Sequence, residues 1–123
     1  MEFLALVYSD PEGWDRLSEE EQASAYEGYM AVSRDATAAG ALVDASELEP
    51  TAAATSVRVR NGDALVTDGP YAEVKESLGG YYLFSCDTLE EAIGWAAKIP
   101  AAAHGGAIEV RAVHVEEDGE EAA

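Results

Sequence analysis

Residues 67–83 read TDGPYAEVKESLGGYYL, and this stretch decides how the chain turns from one strand into the next. Gly69 can take positive φ without a Cβ penalty, and Pro70 fixes its own φ and disfavours helical geometry at Gly69. The side chain of Asp68 can accept hydrogen bonds from backbone amides two residues further on. The stretch therefore predicts a turn at the end of one strand, followed by another strand from Gly79.

The residues before this turn predict a β-hairpin. Residues 55–60, TSVRVR, alternate polar and apolar side chains, and residues 63–67 return as a second strand. Asn61-Gly62 between them suits a type I′ turn, in which both central residues have positive φ. The hairpin therefore delivers Asp68 to the end of a strand.

Two helices and further strands surround this hairpin. The apolar run 3–8, FLALVY, predicts a central strand, and shorter strands are predicted at 41–43, 79–85 and 107–115. A capping box at 18–21 begins a helix that runs to Ala39 and stops at Gly40, and a second helix from 87 or 88 ends at Pro100. The inward stripes of the two helices are predicted to be Ala23, Tyr26, Met30, Ser33 and Thr37, and Leu89, Ile93, Ala96 and Ala97.

This order of elements predicts an α+β fold in which both helices cover one face of a mostly antiparallel sheet, with an extra hairpin. The other face, to which we assign the runs Leu4–Leu6 and Tyr82–Phe84, then needs cover. A second copy of the chain is the economical way to cover it. We therefore predict a homodimer that packs through, or close to, this sheet face.

Length and charge restrict the class of protein. A chain of 123 residues is one domain by length, and its 25 acidic and 7 basic residues give a net charge of −18. Such a charge repels phosphate backbones and anionic membrane surfaces, so we predict neither nucleic-acid binding nor membrane binding. The domain is predicted to span 1–115, and the acidic residues 116–123 are predicted to be a disordered tail.

A single cysteine, Cys86, excludes an intramolecular disulfide. The N-terminus lacks the basic region that precedes a secretory segment, so we predict a cytoplasmic protein.

Several separated motifs give the chain a family resemblance. They are VTDGP at 66–70, AE at 72–73, KE at 75–76, LGGYY at 78–82, AAKIP at 96–100 and IEVR at 108–111. With these motifs the chain resembles the YCII-related superfamily, and more narrowly the DGPF branch, whose motif is Asp68-Gly69-Pro70-Tyr71 here. The resemblance implies a ferredoxin-like α+β sandwich, assembled as a dimeric α/β barrel. It also implies a poorly defined function, since most relatives have no assigned reaction and some accompany extracytoplasmic-function sigma factors.

One departure from the resemblance concerns catalysis. A histidine that the YCII branch carries on its first helix is replaced by Tyr29 here, and a distant relative is similar to a dehydrochlorinase that uses a His and Asp pair. Because tyrosine has a reference pKa near 10, it is a poorer general base than histidine at neutral pH. The catalytic role therefore does not carry over to this helix.

The candidate site residues follow from these motifs. We predict Asp68 and His104 as candidate catalytic residues, although Asp68 can equally serve as a solvated turn cap. The candidate ligand-binding residues are Tyr26, Tyr29, Tyr71, Glu73, Lys75 and Arg111. Arg111 either binds a ligand or pairs with an internal carboxylate. No metal or cofactor is predicted, because the histidines and acids lack ligand spacing.

Two functions remain open from the sequence. In the first, the protein binds a small polar or aromatic molecule in a cleft at the Asp68–Glu76 loop and can transform it by lyase or isomerase chemistry. In the second, it is a non-catalytic accessory protein that serves a sigma-factor regulator through its acidic surface.

Overall fold

The structure is a computed structural model, and it describes residues 1–71 and 76–116. The strands are β1 (Glu2–Ser9), β2 (Leu42–Glu47), β3 (Thr55–Arg60), β4 (Asp63–Asp68), β5 (Ser77–Ser85) and β6 (Ala107–Ala112). The helices are α1 (Pro11–Asp15), α2 (Glu19–Ala38) and α3 (Leu89–Ala96), and short 3-10 turns cover Thr51–Ala53 and Pro100–Ala102.

Four strands form the main sheet in the order β2-β5-β1-β6, and each neighbouring pair is antiparallel. The predicted central position of the first strand is confirmed, because β1 pairs with β5 on one side and β6 on the other. Helices α2 and α3 lie in the connections from β1 to β2 and from β5 to β6. The result is an α+β fold of ferredoxin-like order, as predicted.

The core lies on the face of the sheet that the helices cover. Alternate residues of β1, beginning with Phe3, are buried there, and the ring of Phe84 in β5 stacks on Trp95 of α3 with centroids 6.2 Å apart. Tyr82 points to the same side and also stacks on Phe84. The prediction that placed Tyr82–Phe84 on the uncovered face is therefore wrong for these two rings. In a continuous apolar run every side chain is apolar, so the sequence does not reveal which alternate set of side chains faces the helices.

The other side of the sheet, which we call the open face, carries the alternate residues of the central strands. Leu4 and Leu6 of β1 lie opposite Leu83 and Tyr81 of β5, and all four are half-buried. The hydroxyl of Tyr81 donates to Asp44 at 2.9 Å beside this apolar stripe.

Helix α2 begins with the predicted capping box, in which the Ser18 hydroxyl accepts from the Glu21 amide and Glu21 accepts from the Ser18 amide. The inward stripe was predicted wrongly, because Tyr26 is 63% exposed and Met30 is 52% exposed. The buried residues are Ala25, Val32 and Ala36. Small side chains face the sheet because the helix packs closely on it, so hydrophobicity alone selected the wrong side.

Helix α3 shows the same effect. Thr88 caps it as predicted, but Leu89 and Ile93 are exposed, while Ala92 and Ala96 are buried against the sheet.

Strands β3 and β4 form a separate two-stranded sheet. Asn61 and Gly62 have φ of 52° and 83°, as a type I′ turn requires, so the predicted hairpin is confirmed. Its root is closed by a hydrogen bond from the Gly69 amide to the Ala54 carbonyl at 2.7 Å, and the Ser56 hydroxyl donates to the Gly69 carbonyl at 2.8 Å.

Some predicted features lie outside the described residues: Glu73, Lys75 and the acidic tail from residue 117 onward. Among the helices of the described ranges, none is long and apolar enough to cross a membrane.

Candidate functional site

A cavity of about 60 Å³ lies where the end of β1 meets α1, α2 and the 3-10 turn at Pro100–Ala102. Its polar lining comes from Ser9, Asp10, Tyr29 and His104. Apolar walls are contributed by residues that include Trp14 and Pro100. Three chain segments distant in sequence, 9–17, 25–29 and 100–104, therefore bring an acid, a phenol, a hydroxyl and an imidazole to one place.

Asp10 is held in a fixed orientation at this cavity. One carboxylate oxygen accepts from the Glu12 amide at 3.0 Å and so caps α1, and the other lies 3.8 Å from a guanidinium nitrogen of Arg16. Its side chain is 16% exposed, while that of Arg16 is 66% exposed. The carboxylate therefore presents a localised negative charge that Arg16 balances from the solvent side.

Tyr29 is the half-buried phenol of the cavity. Burial is the main cause that raises its pKa above the ordinary value of 10.0, and Tyr82 and Glu47 raise it further. The backbone of Ala101 acts in the opposite direction. At neutral pH the phenol therefore stays protonated and can donate a hydrogen bond to a ligand oxygen.

His104 is exposed and lies in the loop after the 3-10 turn. It is close enough to Glu21 to help lower the pKa of that carboxyl, although the backbone hydrogen bond from Ser18 is the main cause. Gly106 anchors this loop, since its amide donates to the Ala101 carbonyl at 2.9 Å and a Cβ there would collide with the carbonyl of Tyr8. The histidine is thus presented on a loop that packs against the end of β1.

The other predicted site residues lie elsewhere. Tyr26 is exposed on α2, Asp68 is exposed at the end of β4, and Tyr71 is 76% exposed with the Arg58 guanidinium 4.7 Å from its ring centre. Arg111 pairs with Glu109 at 3.2 Å on the sheet. Of the predicted site residues that the structure describes, the cavity contains only Tyr29 and His104.

The turn segment nevertheless ends near the cavity. Ser77, the first residue of β5, pairs with Ser9 of β1, which lines the cavity. Residues 76–77, on the far side of the Asp-Gly-Pro-Tyr motif, therefore lie at the same end of the sheet as Tyr29 and His104.

Sequence reasoning missed Asp10 and Trp14 as cavity residues. The available signal was the Ser9-Asp10-Pro11 sequence directly after the first strand, which combines an N-cap residue with a proline at the first helical position. Within the ranges 1–71 and 76–116, no group of three or more acidic, histidine or cysteine side chains could hold a metal ion.

Comparisons with known proteins agree with this fold. The family model described as the YCII-related domain matches residues 1–117. An uncharacterized protein of Rhizobium meliloti (strain 1021) is 36% identical over 121 residues, and the match covers 98% of each protein.

A solved structure is also similar, that of a 5-chloro-2-hydroxyhydroquinone dehydrochlorinase from Burkholderia phenoliruptrix in complex with 2,5-dihydroxybenzoquinone. It has a TM-score of 0.54 and 12% identity, and the match covers 98% of this chain and 100% of that chain. At that identity the similarity concerns the fold alone.

Proposed function

We propose a small-molecule site for this chain, which belongs to the family of YCII-related domains. The ligand is a small polar or aromatic molecule, and it binds at the cavity at the end of β1. The observation that carries this proposal is the half-buried phenol of Tyr29, which lines the same cavity as Asp10 and His104. Convergent polar groups in a concave, partly apolar site are typical of ligand binding.

The size of the cavity restricts how a ligand fits. A cavity of about 60 Å³ is much smaller than the roughly 300–1,000 Å³ of a site that encloses a whole drug-sized ligand. One hydroxyl or carbonyl group of the ligand therefore enters the cavity and accepts a hydrogen bond from Tyr29. The remainder of the ligand lies at the mouth, where Trp14 is 42% exposed and offers an aromatic surface.

The same groups support acid–base chemistry of the lyase or isomerase type. The imidazole of His104 acts as the general base and accepts a proton from a carbon next to the ligand carbonyl, and the electron pair moves to the carbonyl oxygen. Tyr29 stabilises that oxygen with its hydrogen bond, since a protonated phenol donates well to a developing negative charge. The intermediate then expels a leaving group, or regains the proton at another position. The fold shared with a dehydrochlorinase is compatible with this reaction type.

A thermal-shift screen with small phenols, diols and carbonyl compounds tests the site. A ligand at 100 times its Kd adds about 2.7 kcal/mol to the free energy of unfolding. Tyr29→Phe removes a hydrogen bond worth about 0.5–1.5 kcal/mol, so the affinity should fall roughly two- to tenfold. Tyr26→Phe is the matched control, because Tyr26 is an exposed tyrosine on the same helix and should leave binding unchanged.

His104→Gln tests the chemical step separately. Any turnover found for a ligand from the screen should be lost in this variant, while binding through Tyr29 remains. Equal affinity of wild type and Tyr29→Phe would contradict the site. A screen without any ligand would favour the alternative, an accessory protein for a sigma-factor regulator. No feature of the described residues supports that alternative directly.

The assembly belongs to the same proposal. The open face presents Leu4, Leu6 and Leu83, and none of the helices in 1–71 and 76–116 covers it. A second copy packed on this face completes a dimeric α/β barrel and removes the apolar stripe from water. Cys86 has no second cysteine in the chain with which to pair, in keeping with the cytoplasmic location that we propose.

A further inference from the structure

Asp10 is the acidic residue that lines the cavity at the end of β1. Its side chain is 16% exposed, so the protein rather than water forms most of its surroundings. One carboxylate oxygen accepts from the Glu12 amide at 3.0 Å. The other oxygen lies 3.8 Å from the guanidinium of Arg16, which is too far for a hydrogen bond. This second oxygen therefore keeps the capacity to accept a hydrogen bond.

The negative charge of Asp10 is only partly balanced. Arg16 lies closer to Glu12, at 3.2 Å, than to Asp10, so one guanidinium serves two carboxylates. The side chain of Arg16 is 66% exposed, and water and salt weaken its effect. In the described part of the chain, no lysine or arginine lines the cavity. One wall of the cavity is therefore negative, in a chain whose net charge is −18.

Tyr29 has the complementary hydrogen-bonding character. Its protonated phenol donates, whereas the Asp10 carboxylate accepts. A ligand that uses both groups needs an acceptor oxygen for Tyr29 and a donor for Asp10. Because both residues line a cavity of about 60 Å³, the donor and the acceptor have to lie within a few bonds of each other in the ligand.

An anionic ligand fits this arrangement poorly. A carboxylate or a phosphate dianion has acceptors alone, so it satisfies Tyr29 but offers Asp10 no hydrogen. It also brings a like charge to the Asp10 carboxylate, where the low exposure of the side chain leaves the repulsion weakly screened. Selection against anions therefore comes from repulsion as well as from a missing hydrogen bond.

We propose that the cavity selects uncharged ligands that carry a hydrogen-bond donor beside a carbonyl oxygen, as primary amides and α-hydroxy carbonyl compounds do. Asp10 is the residue that determines this specificity. The ligand class rests on the small-molecule site of the proposed function and deepens it. It assigns Asp10 no part in the chemical step.

Benzamide, acetophenone and benzoate test the ligand class, because they share one ring and differ in one group on the carbonyl carbon. Benzamide offers a carbonyl and an N–H donor, acetophenone offers the carbonyl alone, and benzoate is an anion. NMR titration of the wild-type chain should give the tightest binding for benzamide, with acetophenone at least about threefold weaker and benzoate at least about tenfold weaker. This series needs no variant.

Asp10→Asn tests the role of the carboxylate. Asparagine caps helices about as well as aspartate, so α1 keeps its cap while the charge is removed. This variant should bind benzoate at least about fivefold more tightly than the wild type does, because the like-charge repulsion is lost. Asp15→Asn is the matched control, since Asp15 is an exposed residue of the same helix that does not line the cavity. Its affinity for benzoate should stay within about twofold of the wild type, as expected for a screened surface charge.

Equal affinity of the wild type for benzamide and benzoate would overturn the ligand class, as would an Asp10→Asn variant that binds benzoate no better than Asp15→Asn does. In both cases the site itself stands if Tyr29→Phe weakens the binding of benzamide. Absence of binding by all three compounds would also overturn the ligand class, and the wider thermal-shift screen then decides the site. Benzamide that binds equally to the wild type and to Tyr29→Phe would refute the site and the ligand class together.

Discussion

Gly28 in α2 is a position where one methyl group tests how the cavity is built. A Cβ at this residue would lie 2.8 Å from the Cγ of Pro100, which lines the cavity. Replacing a glycine inside a helix with alanine gains about 0.5–1 kcal/mol, whereas overpacking costs about 1–3 kcal/mol. Because the proline ring is fixed to the backbone of the 3-10 turn, we expect the cost to prevail. Gly28→Ala should therefore lower the free energy of unfolding by about 0–2.5 kcal/mol, from the same two ranges.

Gly94→Ala in α3 provides the matched control, because a Cβ there would meet no atom within 4 Å. This variant should raise the free energy of unfolding by about 0.5–1 kcal/mol. Urea unfolding at one protein concentration measures both variants, and the difference between them isolates the contact with Pro100. Adding Pro100→Ala to Gly28→Ala should recover most of that difference. Equal stabilisation by the two glycine substitutions would refute the close approach of α2 to the turn.

One further substitution and one pH dependence test the packing of the core. Phe84→Ala should lower the free energy of unfolding by about 3–5 kcal/mol, because the ring is fully buried between Tyr82 and Trp95, and a loss below about 1 kcal/mol would contradict that packing. Burial raises the pKa of Tyr29 and of Tyr82 in the folded state, so the unfolded chain loses its phenol protons first as the pH rises. The free energy of unfolding should therefore be unaffected by these groups below about pH 10 and should fall above it. Tyr82→Phe should reduce that fall, and an unchanged pH profile in this variant would contradict the assignment.

The secondary structure could be predicted from the sequence where interactions between neighbouring residues determine it. The Asn61-Gly62 turn and the Ser18 cap were predicted correctly because each depends on backbone preferences within a few residues. It was harder to predict from the sequence which side of each helix and strand packs inward. Tyr26 and Met30 were expected inside α2, but close packing on the sheet favours Ala25 and Ala36 there. That preference depends on the distance between layers, which no local pattern contains.

The candidate site was likewise predicted only in part from the sequence. Tyr29 and His104 were both named from the sequence as candidates, but nothing in their spacing indicated that they share a cavity. Asp10 was not among the candidates named from the sequence, and the structure shows it as the N-cap of α1 and as a cavity residue. Its position at the cavity depends on the packing of residues 9–17 near Tyr29 of α2 and His104, which are distant in the chain.

The stretch at 67–83 by itself determined a turn after a hairpin, the strand that follows and a family resemblance, because glycine and proline restrict the backbone wherever they stand. Only the tertiary structure decided that Tyr81 and Leu83 face the open side while Tyr82 and Phe84 face the helices. It also decided that Ser77 returns beside Ser9 and the cavity. Strand register and helix packing set these positions, and both arise from contacts between residues far apart in the chain.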